Sequence, residues 1–286
     1  MQNKLSCHIL FFCLTIPSLF LISCSSFDKN SSCSSQIKKL GTSDFSVEIT
    51  SFKPTLLTQK SLLIIPPTGG TNTIDVSYGK NFCKAGYNVF VLNDWTNKDE
   101  LVVDLELHQR FYTNAQKAIS LILAETKTPF IGLLGTSVGA LHGAISANTI
   151  PQLDAVYLIV GGASIAEVIV GSDQEAMVNL KAERKKKFGF KNDTEIVQAI
   201  DHVFKLEPLA QGSLYKTKDI GMVIAEYDST VPTEYQVKLR DFYQPKEVLM
   251  LPNNHFWAII KTWLFHEDEI LEFFENSFKK RQKKSS

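Results

Sequence analysis

The chain has 286 residues, 44% hydrophobic and 21% charged, and its 30 basic and 30 acidic side chains give a formal net charge of +0. That size and apolar content fit one globular domain of α/β type, and the balanced charge removes the long-range positive field a nucleic-acid partner would require. No internal repeat and no zinc-type cysteine spacing occurs in the sequence. The two strong charge runs, Lys185-Lys186-Lys187 and Lys279-Lys280-Arg281-Gln282-Lys283-Lys284, read first as solvated faces. The second has contact with anionic lipid or polysaccharide as its other reading.

At the N-terminus, Lys4 precedes an apolar segment from Leu5 to Ile22 that is broken by Pro17. A basic start followed by an apolar core is the layout of a secretory signal. The segment ends in Leu21-Ile22-Ser23-Cys24, which resembles the lipobox of bacterial lipoproteins. The resemblance implies removal of residues 1–23, acylation of Cys24 and, because Ser25 rather than Asp follows, sorting to the outer membrane of a bacterial envelope. Each buried methylene contributes about 0.8 kcal/mol, so several fatty acyl chains on one cysteine hold a protein firmly to a bilayer. An ordinary cleaved signal and a single transmembrane helix are the competing readings. Residues 24–43 begin serine-rich with few large apolar side chains and read as a flexible tether. Of the five cysteines, Cys7 and Cys13 leave with the signal and Cys24 takes lipid. Cys33 and Cys83 read as two unpaired thiols rather than a disulfide, since Cys33 falls in the tether.

The domain proper spans 44–286. Alternating Phe45, Val47 and Ile49 predict a strand, and the continuous apolar run Ser61 to Ile65 predicts another, buried on both faces. It runs into Pro66-Pro67-Thr68-Gly69-Gly70, then a helix from Thr73 to Ala85 closed by Gly86, then a strand at Asn88 to Leu92. Leu101, Leu105, Phe111, Tyr112, Ala115, Ile119 and Ile122 recur at helical spacing. Next come a strand at 130–134, the pentapeptide Gly135-Thr136-Ser137-Val138-Gly139, a helix from Ala140 to Asn148 and a strand at Leu153 to Val160. Helical patterns follow at Ala176 to Lys187 and Thr194 to Phe204. Then come a strand at Ile220 to Ala225, a helix at Glu234 to Phe242, a strand at Glu247 to Leu251 and one helical stretch from Trp257 to Phe278.

Strand, tight Gly-x-Ser-x-Gly turn and helix form the context of a nucleophile elbow, in which a strained backbone lifts a serine hydroxyl clear of the sheet. With the glycine loop after the earlier strand, the chain resembles the α/β-hydrolase superfamily. The resemblance implies a mostly parallel central sheet flanked by helices, and a small helical cap at 163–213. Ordinary surface helices are the alternative for that stretch.

The resemblance further assigns Ser137 as nucleophile and Asp228, in Asp228-Ser229-Thr230-Val231-Pro232, as the acid, with Glu226 as its competitor. His255, just past the last strand, falls where that superfamily keeps its base, and Ser, Asp, His is the chain order of this fold. The backbone N–H groups of Val138 and of Thr68, or of Gly69 instead, fall at the oxyanion-hole positions; Pro66-Pro67 stands where the family usually has His-Gly. His108 and His202 are read as noncatalytic. The implied chemistry is cleavage of a carboxylic ester or thioester through an acyl-serine, with no metal or organic cofactor. An acyltransferase or peptidase on the same fold, and a non-enzymatic envelope-anchored binding protein, are the alternatives. Implied partners are a small acyl substrate and the membrane holding Cys24.

Overall fold

The computed structural model describes residues 32–95, 103–210 and 214–285. The expected signal at 1–23, residues 24–31 of the expected tether with Cys24, and residues 211–213 of the expected cap lie outside the described residues. The strands are β1 (Cys33–Gly41), β2 (Ser46–Pro54), β3 (Lys60–Ile65), β4 (Asn88–Trp95), β5 (Phe130–Thr136), β6 (Ala155–Ile159), β7 (Asp219–Ala225) and β8 (Glu247–Leu251). They form one sheet in the order β1-β2-β4-β3-β5-β6-β7-β8. The β1–β2 and β2–β4 pairs are antiparallel, and every pair from β4 onward is parallel.

Parallel neighbours need crossover connections, which helices supply. They are α1 (Thr73–Lys84), α2 (Leu107–Glu125), α3 (Val138–Thr149), α4 (Ile165–Gly171), α5 (Glu175–Phe188), α6 (Asp193–Val203), α7 (Thr233–Tyr243), α8 (His255–Phe265) and α9 (Glu267–Ser285). The continuous apolar strands follow from helices on both faces. Leu63 and Ile65 pack with Ala118 and Ile122 of α2, Ala144 of α3 and Leu239 of α7. Their neighbours Leu62 and Ile64 point the other way, against Tyr78 and Phe82 of α1 and Phe273 and Phe274 of α9. A side chain is buried at every step, so period-two alternation disappears.

The tether expected over 24–43 is corrected by β1. Residues 33–41 pair with β2 along nine consecutive positions, from Cys33 opposite Pro54 to Gly41 opposite Ser46. Most of its side chains are exposed, so apolar composition carries no trace of it; a backbone ladder at the sheet edge holds it instead. The expectation of two free thiols is corrected as well, because Cys33 is disulfide-bonded to Cys83 of α1. The bond closes a sequence separation of 50 residues and ties the edge strand to the body of the domain.

Helices α4, α5 and α6 lie between β6 and β7. Ile165, Val168, Ile196 and Ile200 form a third cluster with Tyr112 of α2 and Leu141 and Ile145 of α3. Among the described residues no strand residue belongs to that cluster, so these helices sit on other helices rather than on the sheet. The single C-terminal helix expected from Trp257 is two, broken at His266.

Candidate active site

Ser137 sits between β5 and α3 with φ 56 and ψ −118. Positive φ is costly for any residue with a Cβ, and it is sustained here by what surrounds it. The Ser137 N–H donates to Ile159 O at 2.8 Å, while Ser137 O accepts from the N–H groups of Ala140 and Leu141. The flanking glycines are required by proximity. A Cβ on Gly139 would lie 2.6 Å from Pro66 O and closer still to Ile65 O, and one on Gly135 would strike the backbone of Gly139. Helix α3 thus passes against β3 with no room for a side chain, which fixes its N-terminus beside the serine.

His255 is the first residue of α8, whose N-terminus is capped by the Asn254 side chain accepting from Trp257 N–H. Its Nε2 lies 2.8 Å from Ser137 Oγ, and its Nδ1 lies 2.7 Å from Asp228 Oδ2. A carboxylate only accepts, so Nδ1 carries the proton and Nε2 is left to accept from the serine hydroxyl. Asp228 is buried just after β7. Its Oδ1 accepts from Thr230 N–H and Val231 N–H, both at 2.9 Å, and its Oδ2 from Gln236 Nε2 at 2.7 Å. The competing acid Glu226 is exposed. Of the other histidines, His202 is exposed on α6, whereas His108 is buried against Arg184, whose Nη1 donates to its Nε2 at 3.1 Å.

Gln236 was not singled out from sequence. It is fully buried, its Oε1 accepts from Ala225 N–H at 3.1 Å and its Nε2 also donates to Val231 O at 2.7 Å. Its signal was a lone amide on the apolar stripe of α7, three and seven residues before the buried Leu239 and Tyr243. Gln236→Met would keep volume but remove both the carboxylate contact and the partner of Ala225 N–H. We expect kcat on an ester to fall about tenfold and stability by about 1–3 kcal/mol, read by steady-state kinetics and urea unfolding.

A cavity of about 350 Å³ opens onto Ser137 and is lined also by Thr68, Val138, Leu141, Phe111 and Ile169. Both positions expected to present backbone N–H groups, Thr68 and Val138, are on this wall; Gly69 is not among its lining residues. Thr68 is held in a turn closed by Gly70 N–H to Pro67 O, with φ +96 at Gly69 allowing the reversal. Among the described residues no group of three or more His, Cys, Asp or Glu side chains is arranged to hold a metal ion.

Two buried imidazoles give the domain a pH signature. Burial pushes the pKa of His142 down to about 3, and burial with the nearby Arg184 charge does the same to His108. Unfolded, each protonates near 6.5, so below that pH the unfolded chain binds the extra protons. Each histidine then contributes stability that is present above pH 6.5 and is lost at about 1.4 kcal/mol per unit as pH falls. Asp75 opposes this, because burial raises its carboxyl to about 6 from 3.8 and the folded state takes up that proton first. Asp154, Asp201, Glu207 and Glu247, whose carboxyls burial also raises, act in the same direction as Asp75. In urea titrations between about pH 6 and 4, the parent should lose more stability with acid than His142→Phe does, the two slopes differing by about one proton.

No protein-family model matches the chain, and no curated protein matches it in sequence. Solved structures do match in shape. An esterase of Pyrococcus furiosus is 14% identical with a TM-score of 0.55, covering 92% of this chain and 99% of its own. Acetyl xylan esterase 1 of Thermoanaerobacterium sp. is 14% identical with a TM-score of 0.64, covering 90% and 86%. The acylaminoacyl peptidase of Pyrococcus horikoshii is 13% identical with a TM-score of 0.60, covering 87% of this chain and 42% of the peptidase. At such identities the likeness concerns architecture, and the matched proteins include two named as esterases and one named as a peptidase. Sheet order, crossover helices and elbow agree with that likeness: the chain has the α/β-hydrolase fold.

Proposed function

We propose that the protein is a serine hydrolase that cleaves a carboxylic ester or thioester through an acyl-serine intermediate, held on a bacterial envelope by lipid on Cys24. The observation that carries the enzymatic reading is the unbroken run Ser137 Oγ, His255 Nε2, His255 Nδ1, Asp228 Oδ2, with 2.8 and 2.7 Å steps. A serine hydroxyl is a weak nucleophile near neutral pH and needs a base in contact and a group that fixes the base's tautomer. In this reading His255 Nε2 takes the hydroxyl proton as Ser137 Oγ bonds to the acyl carbon. The negative oxygen that forms is met by the backbone N–H groups of Val138 and Thr68, each worth roughly 3–4 kcal/mol in the transition state. His255 then returns the proton to the departing alcohol or thiol. Water repeats the sequence on the acyl-serine, releasing the acid.

Esterases among the matched structures support a carbonyl substrate, and the apolar wall of Phe111, Leu141 and Ile169 supports an apolar acyl or alcohol group next to the serine. The anchor rests on Leu21-Ile22-Ser23-Cys24 behind an apolar signal core. The test is a panel of p-nitrophenyl esters and acyl thioesters of graded chain length, with and without an added alcohol acceptor. Free acid as the product, with an optimum at a chain length the cavity accommodates, is expected. Turnover of none of them, or acyl groups passing only to the acceptor, would contradict hydrolysis.

A further inference from the structure

The described chain enters the domain at Ser32, far from Ser137. Strand β1 is antiparallel to β2, and β2 to β4, so β1 runs in the direction of β3, β4 and β5. Its first residue, Cys33, therefore lies at the edge where those strands begin, whereas Ser137 follows the last residue of β5. The seven residues of β5 separate the two edges by about 23 Å.

At the amino edge, Ser32 O accepts from Thr55 N–H and Cys33 is bonded to Cys83. Both contacts hold the chain's exit beside the β2–β3 loop. The tip of that loop is apolar and in water: Leu56 is 75% and Leu57 106% exposed. A hollow beside them is lined by Lys60, Lys84 and Lys279, and by Glu275, which pairs with Lys60. Lys279 opens the basic run at the end of α9, where Lys280 and Lys283 are exposed too. An apolar tip with a basic rim is what an interfacial contact with anionic lipid requires, since the leucines bury methylenes among the headgroups while lysines meet the negative surface.

The chain itself argues for this occupant. Only eight residue-to-residue steps separate Cys24 from the described Ser32, a reach of at most about 28 Å, so a lipid on Cys24 brings the amino edge to the bilayer and leaves the carboxyl edge farther out. We propose that the Leu56–Leu57 tip with its lysine rim docks on an anionic bilayer, so that the Ser137 end of the sheet faces away from the membrane that anchors the protein. The biological setting rests on the Cys24 reading; the docking surface itself does not. Substrate then reaches Ser137 from the aqueous side, which favours dissolved esters over lipids of the anchoring leaflet.

The experiment uses the mature chain from residue 24 carrying Cys24→Ser, floated with vesicles of phosphatidylcholine alone or with an equal part of phosphatidylglycerol. Binding to the anionic vesicles only is expected, weakened by added salt, and cut about tenfold or more by Leu56→Asp with Leu57→Asp. Turnover of a water-soluble ester by that double variant should equal the parent's, since neither leucine is near the serine. Equal vesicle binding by parent and variant, or no binding by the parent, overturns the proposal. So does a parent that is dimeric in light scattering and becomes monomeric in the variant, because a second copy would then occupy the patch. The mass of the residue-24 peptide from membrane-extracted native protein reports the lipid separately, so a missing acyl group counts against the anchor and not against the patch.

Discussion

Ser137→Ala is expected to lower kcat on an ester by about 10⁴–10⁶ while leaving stability within about 1 kcal/mol of the parent. The two halves of that result have separate causes. Alanine carries the same Cβ at φ 56 as serine does, so the strain of the turn is unchanged. The backbone bonds of residue 137 to Ile159, Ala140 and Leu141 do not involve the hydroxyl. What disappears is the atom 2.8 Å from His255 Nε2, the hydroxyl that the proposed mechanism bonds to the acyl carbon. Residual turnover would reflect water placed by the remaining N–H groups and the cavity. Steady-state kinetics beside a thermal melt separate the two quantities.

Gly139→Ala should do the reverse, damaging fold and activity together. Its added Cβ meets Pro66 O at 2.6 Å and Ile65 C at 2.7 Å, with Ile65 O nearer still. All three are backbone atoms, so no rotamer change relieves the clash; β3 and α3 must separate. We expect a loss of about 3 kcal/mol or more. Because Val138 N–H heads α3 and Thr68 follows β3, the same separation moves both expected oxyanion donors, and a shift of about 1 Å there costs about 10²-fold in rate. Gly86→Ala is the control: φ is +88 but nothing lies within 4 Å of its added Cβ, so only the backbone cost of about 1 kcal/mol applies. Urea unfolding of both variants, followed by circular dichroism, distinguishes a packing clash from a conformational cost.

Much of the site was legible because its demands are local or ordered along the chain. Gly135 and Gly139 reveal the elbow since no side chain fits where α3 crosses β3. Asp228 and His255 each follow the carboxyl end of a strand, β7 and β8; β7 is buried almost throughout and reads clearly as a continuous apolar run, while β8 is mostly exposed and is marked by the apolar residues of Val248 to Leu251. Elements without a hydrophobic signature were missed. Strand β1 depends on backbone pairing and on Cys33–Cys83, a contact between residues 50 apart. Helix α4 is two turns long and buried along most of its length, so it offers no amphipathic period. The break between α8 and α9 carries neither glycine nor proline; its mark was the acidic start Glu267-Asp268-Glu269, favourable at a helix N-terminus. Gln236 reads as an error in an apolar stripe until the carboxylate it supports is in place.

The convergence of Ser137, His255 and Asp228 into a nucleophile is tested most directly by reacting the folded protein with a fluorophosphonate probe and mapping the adduct by peptide mass. One phosphonyl group on Ser137 is predicted, absent from Ser137→Ala and slowed at least about 10²-fold in His255→Ala, where no base takes the proton. An unlabelled parent protein, or an adduct on another residue that persists in Ser137→Ala, would contradict the account.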